Sequence, residues 1–191
     1  MVSKRFPQKN LGHVMLDLET MGNDSYSVIT SIGAVEFDLN TGEYGRTFYE
    51  RIDIQSCLNS GMKINGSTIY WWLQQNEEAR KEMCKPSDNI KNVLEKFKSY
   101  MGEIGGKDIY VYGRSPRFDC GILKDAYVLW NYEAIPWDFR KELDVRTFEF
   151  FSPEIKANEP NIGTEHHPLD DCRFQINYCT KIWNKLHPEL K

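Results

Sequence analysis

Three apolar, β-branched segments open the chain, His13–Leu18, Val28–Phe37 and Thr47–Ile54, and each reads as a strand. Between the last two lies Asp38-Leu39-Asn40-Thr41-Gly42-Glu43, a turn-rich stretch of the kind that joins a hairpin. The pattern then changes period. Ser67–Gln75 is short and aromatic, with Glu77–Met83 continuing it. From Asn89 to Tyr100 the apolar positions Ile90, Val93, Leu94, Phe97 and Met101 recur at helical spacing, behind Ser87 as the expected N-cap. Gly102, Gly105 and Gly106 end that helix and lead into a short strand, Asp108–Tyr112. Further helices are predicted from about Phe118 to Trp130 and over Lys141–Phe151, the latter closed by Ser152-Pro153. A polar loop through Asn161-Ile162-Gly163 leads to the last helix, about Leu169–Leu186, with Phe174, Ile176, Cys179, Ile182 and Trp183 as its apolar positions. There is no internal repeat or evident linker, so the 191 residues read as one domain with its core at about residues 13–187. The order β-β-β-α-β-α-α predicts an α/β fold, a mixed sheet flanked by helices.

Composition adds mainly exclusions. Hydrophobic residues make up 40% of the chain and charged residues 27%, the balance of a soluble globular protein. No apolar run approaches the ~20 residues of a membrane helix, and no membrane partner is expected. The first dozen residues, MVSKRFPQKNLG, are basic and polar and lack the apolar segment of a signal peptide, so a cytoplasmic location is expected. The five cysteines (Cys57, Cys84, Cys120, Cys172, Cys179) form no C-x-x-C pair, which speaks against a disulfide framework or a structural zinc site. Net charge is -4, so the field of the whole molecule does not favour polyanions. A polyanionic partner would need a local basic rim, for which Lys4, Arg5 and Lys9, or Arg114 and Arg117, are available.

The candidate chemistry is acidic. Asp17 and Glu19 stand two apart in VMLDLET, and on a strand such residues point to the same face. Two carboxylates converging at a strand's end are what a hard divalent cation such as Mg²⁺ or Mn²⁺ requires. Asp119, in YVYGRSPRFDCGIL, falls between a short strand and a helix, where a carboxylate also suits the helix dipole. In EHHPLDDC, His166 lies five positions before Asp171, with Pro168 marking a loop or first helical turn. A histidine just ahead of a helix can reach the same pocket as a carboxylate on its first turn.

Taken in order, these pieces resemble the three motifs of the DEDDh (DnaQ-like) 3′–5′ exonuclease superfamily. Asp17 and Glu19 match its Asp-x-Glu, Phe118 and Asp119 its Phe-Asp at a helix start, and His166 and Asp171 its histidine with an aspartate five residues on. Pro168 stands where the superfamily has alanine. The resemblance spans about Val14 to Trp183. Thr68 through Gln75 (TIYWWLQQ) and Asp144-Val145-Arg146-Thr147 also resemble the Rv2179c-like exoribonuclease group, which has bacterial and phage members. The resemblance implies a ribonuclease H-like fold and hydrolysis of phosphodiester bonds from the 3′ end of single-stranded nucleic acid. It implies two divalent ions, Mg²⁺ or Mn²⁺, held by Asp17, Glu19, Asp171 and, directly or through water, Asp119.

His166 would then be the general base, with its neighbour His167 as the rival. Ions ~3.5–4 Å apart can activate water and stabilise the leaving 3′-oxygen, and an imidazole of ordinary pKa ~6.5 can accept the water's proton near neutrality. By the same resemblance Thr20, Met21, Phe118 and Trp71 are candidate substrate contacts. Met21 would be an apolar wedge at the last base, and Trp71 a stacking surface. DNA and RNA both fit, and a homodimer is compatible. The competing expectation is a ribonuclease H-like module that holds nucleic-acid ends without cutting them.

Overall fold

The computed structural model describes residues 11–131, 134–160, 163 and 166–190. Lys4, Arg5 and Lys9 of the expected basic rim, and Asn161 and Ile162 of the polar loop, lie outside these residues. Five strands form one sheet in the order β3-β2-β1-β4-β5, where β1 is His13–Thr20, β2 Ile29–Phe37, β3 Tyr44–Arg51, β4 Tyr110–Gly113 and β5 Glu142–Asp144. The first three pair antiparallel as a meander, and β4 and β5 add in parallel beside β1.

Alternation along β1 divides the core. Val14, Leu16 and Leu18 face one apolar cluster, which Ile90, Val93, Leu94, Phe97, Met101 and Ile104 of α4 (Ile90–Ile104) fill from below. Met15 faces the opposite cluster, with Cys172, Ile176, Cys179 and Ile182 of α8 (Pro168–Leu186). Asp17 and Glu19 continue the Met15 face toward the C-terminal end of the strand, beneath α8. Each large aliphatic side chain buried this way stabilises the fold by roughly 1.5–3 kcal/mol. That is ample to hold a few carboxylates in a poor environment at the edge of the core.

α8 can approach so closely because β2 has no side chain beneath its first turn. A Cβ on Gly33 would stand 2.4 Å from the Pro168 Cβ and 2.8 Å from its carbonyl carbon. Pro168 occupies the first turn of α8, where a missing N–H costs nothing. Gly33→Ala is therefore expected to destabilise the protein by about 1–3 kcal/mol, the usual cost of overpacking. Urea unfolding would measure it, and an unchanged midpoint would show that the first turn can move aside.

Several boundaries differ from the sequence reading. The third strand ends at Arg51, because Asp53 accepts hydrogen bonds from the Gln55 and Ser56 amides and starts a helix, α1 (Ile54–Asn59). Asn65 caps α2 (Gly66–Leu73) and Asn76 caps α3 (Glu77–Met83). The cap of α4 is Asn89 rather than Ser87, its side chain accepting from the Lys91 amide. The expected strand at Asp108–Tyr112 begins only at Tyr110, after a 3-10 turn over Gly106–Asp108. Within the expected helix Lys141–Phe151, Glu142–Asp144 instead pairs with β4 as the fifth strand. Only Val145–Phe151 is helical (α6), capped by Asp144. Pro153 starts a further short helix, α7 (Pro153–Ala157), in what reads as loop.

Candidate active site

The four carboxylates come from three elements that end at the same edge of the sheet. Asp17 and Glu19 lie at the end of β1, Asp119 is the first residue of α5 (Asp119–Leu129), and Asp171 sits in the first turn of α8. Gly113, the last residue of β4, leaves room for the second of these: a Cβ there would stand 2.9 Å from Asp119 Oδ2. Asp119 is only 3% exposed, and its Oδ1 accepts from the Leu18 amide at 3.3 Å, which ties α5 to the strand between the first two carboxylates. Gln175, one turn after Asp171, donates through Nε2 to Asp17 Oδ1 at 3.1 Å. The i to i+4 relation puts Asp171 and Gln175 on one helix face, so spacing alone could have found Gln175.

All of these, with His166, line one cleft of about 1540 Å³. Ligand atoms of Glu19, His166 and Asp171 lie within 4.8 Å of one another. The imidazole of His166 stands edge-on to Trp71, with ring centroids 4.9 Å apart. Its rival, His167, turns the other way and packs on Tyr49 of β3 at 4.8 Å, away from the cleft lining.

The electrostatics are those of acids crowded together. Burial, and then the neighbouring charges of Asp119 and Asp171, push the Asp17 carboxyl well above its ordinary range. Burial, Asp17, Asp171 and Asp119 do the same to Glu19. Burial pushes Asp119 up to about 7, against hydrogen bonds that favour its charged form. A donor set of oxygens this close, each disfavoured as an anion, fits one or more hard divalent cations.

These shifts fix the sign of a pH effect on the cation-free protein. Groups whose folded pKa is raised add stability below their unfolded pKa near 4, and lose it as pH rises through the folded value, for Asp119 about 7. Glu82 and Glu149, both held down to about 2, act in the opposite sense, but only below about pH 4.5. With chelator present, the melting temperature is accordingly expected to fall between pH 5 and pH 8. Saturating Mn²⁺ should restore it more at pH 8 than at pH 5. At about a hundred times its dissociation constant a cation adds about 2.7 kcal/mol, or roughly 5–10 °C for a chain of this size. A pH-independent melting point unmoved by Mn²⁺ would contradict the cation reading.

The other expected contacts divide. Phe118, at the N-cap position of α5, lines the cleft, as does Trp71, which is 42% exposed. Trp72 is buried and donates through Nε1 to the Thr20 carbonyl at 2.8 Å, and it lines the base of the cleft beside Trp71 while packing into the core. Thr20 lines the cleft, and its hydroxyl donates to the Gly22 carbonyl. Met21 is not brought to the cleft: its side chain belongs to the core cluster beneath the sheet. The alternation of β1 breaks at its end, with a register shift between Glu19 and Thr20, and Met21 joins the cluster of Leu16 and Leu18 instead of the face of Asp17 and Glu19.

Basic side chains gather here despite the net charge of -4. Arg114 and Arg117 line the cleft as expected for a rim, and Lys63, Lys124, Arg146 and Lys156 join them. Arg114 Nε donates to Glu149 Oε1 at 2.8 Å, and Lys156 pairs with the same carboxylate at 2.9 Å. Four of the five cysteines are buried, among them Cys120 and Cys172, each next in sequence to a cleft carboxylate. Cys84, at the end of α3, is exposed.

The model of the family described as the 3′–5′ exoribonuclease Rv2179c-like domain matches residues 12–183, nearly the whole chain and every residue of the site. The chain belongs to this family. It is a 3′–5′ exonuclease. The exodeoxyribonuclease of Enterobacteria phage T4 is 29% identical, over 70% of this chain and 68% of the relative. Among solved structures, the nuclease domain of 3′hExo, a DEDDh family member bound to rAMP, superposes with a TM-score of 0.65 at 15% identity, covering 91% of this chain and 92% of that one. Exonuclease I of E. coli in complex with a dA13 oligonucleotide gives 0.58 at 13% identity, covering 93% of this chain but 41% of that protein. The mixed sheet with flanking helices is thus the ribonuclease H-like fold of these nucleases. Among the described residues of this Rv2179c-like exonuclease, no helix is long and apolar enough to cross a membrane.

Proposed function

We propose that this exonuclease removes nucleotides from the 3′ end of single-stranded DNA or RNA, with Asp17, Glu19, Asp119 and Asp171 holding divalent cations and His166 acting as general base. The observation that carries this reading is the convergence of four acids and one imidazole in a single cleft whose rim is basic. Mg²⁺ or Mn²⁺ held there would supply Lewis acidity for attack by water and for departure of the 3′-oxygen.

The chain's own residues do the rest. His166, beside Glu19 and Asp171, takes the proton of the attacking water. Gln175 fixes the rotamer of Asp17, and the Leu18 amide fixes that of Asp119, so the donors are aimed before substrate arrives. Trp71 and Phe118 offer aromatic faces to terminal bases, which accept stacking whatever their identity. Arg117, Lys63 and Lys124 on the cleft wall meet phosphates. The backbone around Thr20, on the cleft lining, would meet the terminal sugar and there tell a 2′-OH from a hydrogen.

The test is incubation with matched 5′-labelled single-stranded DNA and RNA, in Mg²⁺, Mn²⁺ or chelator. A ladder that shortens from the 3′ end, and disappears with chelator, is the expected result, and the faster substrate names the sugar. Failure to cleave either strand with both cations, by folded protein, would turn the reading to a module that binds ends without cutting them.

A further inference from the structure

A row of three residues crosses the sheet at the level of the carboxylates. Asp17 of β1 stands opposite Gly33 of β2, and Gly33 opposite Tyr49 of β3. Residues directly opposite in a ladder share a face, so the three look toward the start of α8. The chain entering that helix meets each of them. The His167 ring packs on the Tyr49 ring with centroids 4.8 Å apart. Pro168 occupies the space that a side chain on Gly33 would fill. Gln175, farther along, bonds to Asp17.

Tyr49 is itself fixed from behind. Its hydroxyl donates to Glu82 Oε1 at 2.8 Å, and the same oxygen accepts from Arg51 Nη1 at 2.6 Å. Lys85 pairs with the other Glu82 oxygen, and the Arg51 guanidinium lies 5.8 Å from the Tyr49 ring centroid. Neither Tyr49 nor His167 lines the cleft. His166, the residue before this contact, has φ of 64°, a left-handed backbone that residues other than glycine seldom adopt. Such a conformation persists when the surroundings impose it. The residue after it is clamped to Tyr49, and the next is seated on Gly33.

We propose that Tyr49, held by Glu82 at the β3 edge of the sheet, is a positioning residue for His166: by seating His167 it sets where the preceding imidazole stands in the cleft. The proposal rests on the reading of His166 as the base. It explains why a half-buried, polar-anchored tyrosine lies two strands from the reacting groups. It also gives the second histidine of the His-His pair a task of its own.

The test compares the wild-type protein with Tyr49→Leu and Tyr49→Phe, each with His166 intact and with His166→Ala, on 5′-labelled single strands in Mn²⁺. Tyr49→Leu is expected to lower kcat about 10²-fold with KM little changed, the scale on which ~1 Å of misplacement acts. Tyr49→Phe keeps the ring that His167 packs on but loses the bond to Glu82, and is expected to lower kcat less than Tyr49→Leu does. In the His166→Ala background Tyr49→Leu should have no further effect, because the two act through one group. A wild-type kcat in Tyr49→Leu, or an equal loss with and without His166, overturns the proposal. A wild-type kcat in His166→Ala alone would overturn the base reading instead, so the two failures are told apart. Should Tyr49→Leu not fold, His167→Leu removes the same contact from the other side and carries the same comparison.

Discussion

Asp17→Asn is expected to reduce hydrolysis by at least about 10³-fold, or about 4 kcal/mol of transition-state stabilisation, while raising the melting temperature of the cation-free protein. The two effects share one cause. Asp17 is half-buried and faces the charges of Asp119 and Asp171; its charge is disfavoured by desolvation first and by those neighbours second. Asparagine keeps an oxygen for the Gln175 amide to donate to, but removes the charge. The repulsion disappears, and so does the attraction for a divalent cation. Each kcal/mol regained should raise the melting point by about 2–4 °C in a chain of this size. Saturating Mn²⁺ should then move the melting point far less than in the wild-type protein. Calorimetry with and without Mn²⁺, beside the strand-shortening assay, checks both halves. A variant that is inactive yet less stable than wild type would mean that Asp17 serves the fold rather than a cation.

His166→Ala is expected to lower kcat by about 10²–10⁴-fold, the usual contribution of a general base, while leaving most of the Mn²⁺-induced rise in melting temperature. The distinction matters because His166 lies within 4.8 Å of ligand atoms of both Glu19 and Asp171, close enough to serve as a ligand itself. A base and a ligand predict different calorimetry. If the alanine variant loses the Mn²⁺ shift as completely as Asp17→Asn does, His166 holds the cation. If the shift survives and turnover falls, it moves the proton. His167→Ala should leave the Mn²⁺ shift intact as well, since its ring lies on Tyr49 and outside the cleft lining.

Much of this site was legible in the chain because its residues sit at positions that local rules govern. Asp17 and Glu19 share a face through the period of a strand. Asp119 begins the helix expected from about Phe118 to Trp130, and the spacing from His166 to Asp171 places one residue before a helix and the other in its first turn. What escaped was decided across the sheet. Glu142-Leu143-Asp144 is too short to show a period, and becomes a strand only because β4 offers it an open edge. Met21 would follow Asp17 and Glu19 onto the cleft face if the alternation of β1 held, yet the register shift after Glu19 sends it into the core. Asn89 took the cap that Ser87 resembled, since helix α4 starts where Ile90 reaches the core. Tyr49 carries no signal in sequence at all. Its meaning depends on a register that brings it opposite Gly33, sixteen residues away along the chain and one strand away in space.

The distribution of thiols offers a handle on that register. Cys84 is exposed while the other four sulfurs are enclosed, two of them beside the acids. A maleimide fluorophore would therefore label the native protein at one place, two residues beyond Glu82, without touching the chemistry. A dye there sits behind the Tyr49 contact. Its emission would report, in real time and on the unmodified active site, whether the β3 edge of the sheet stirs when a strand end enters the cleft.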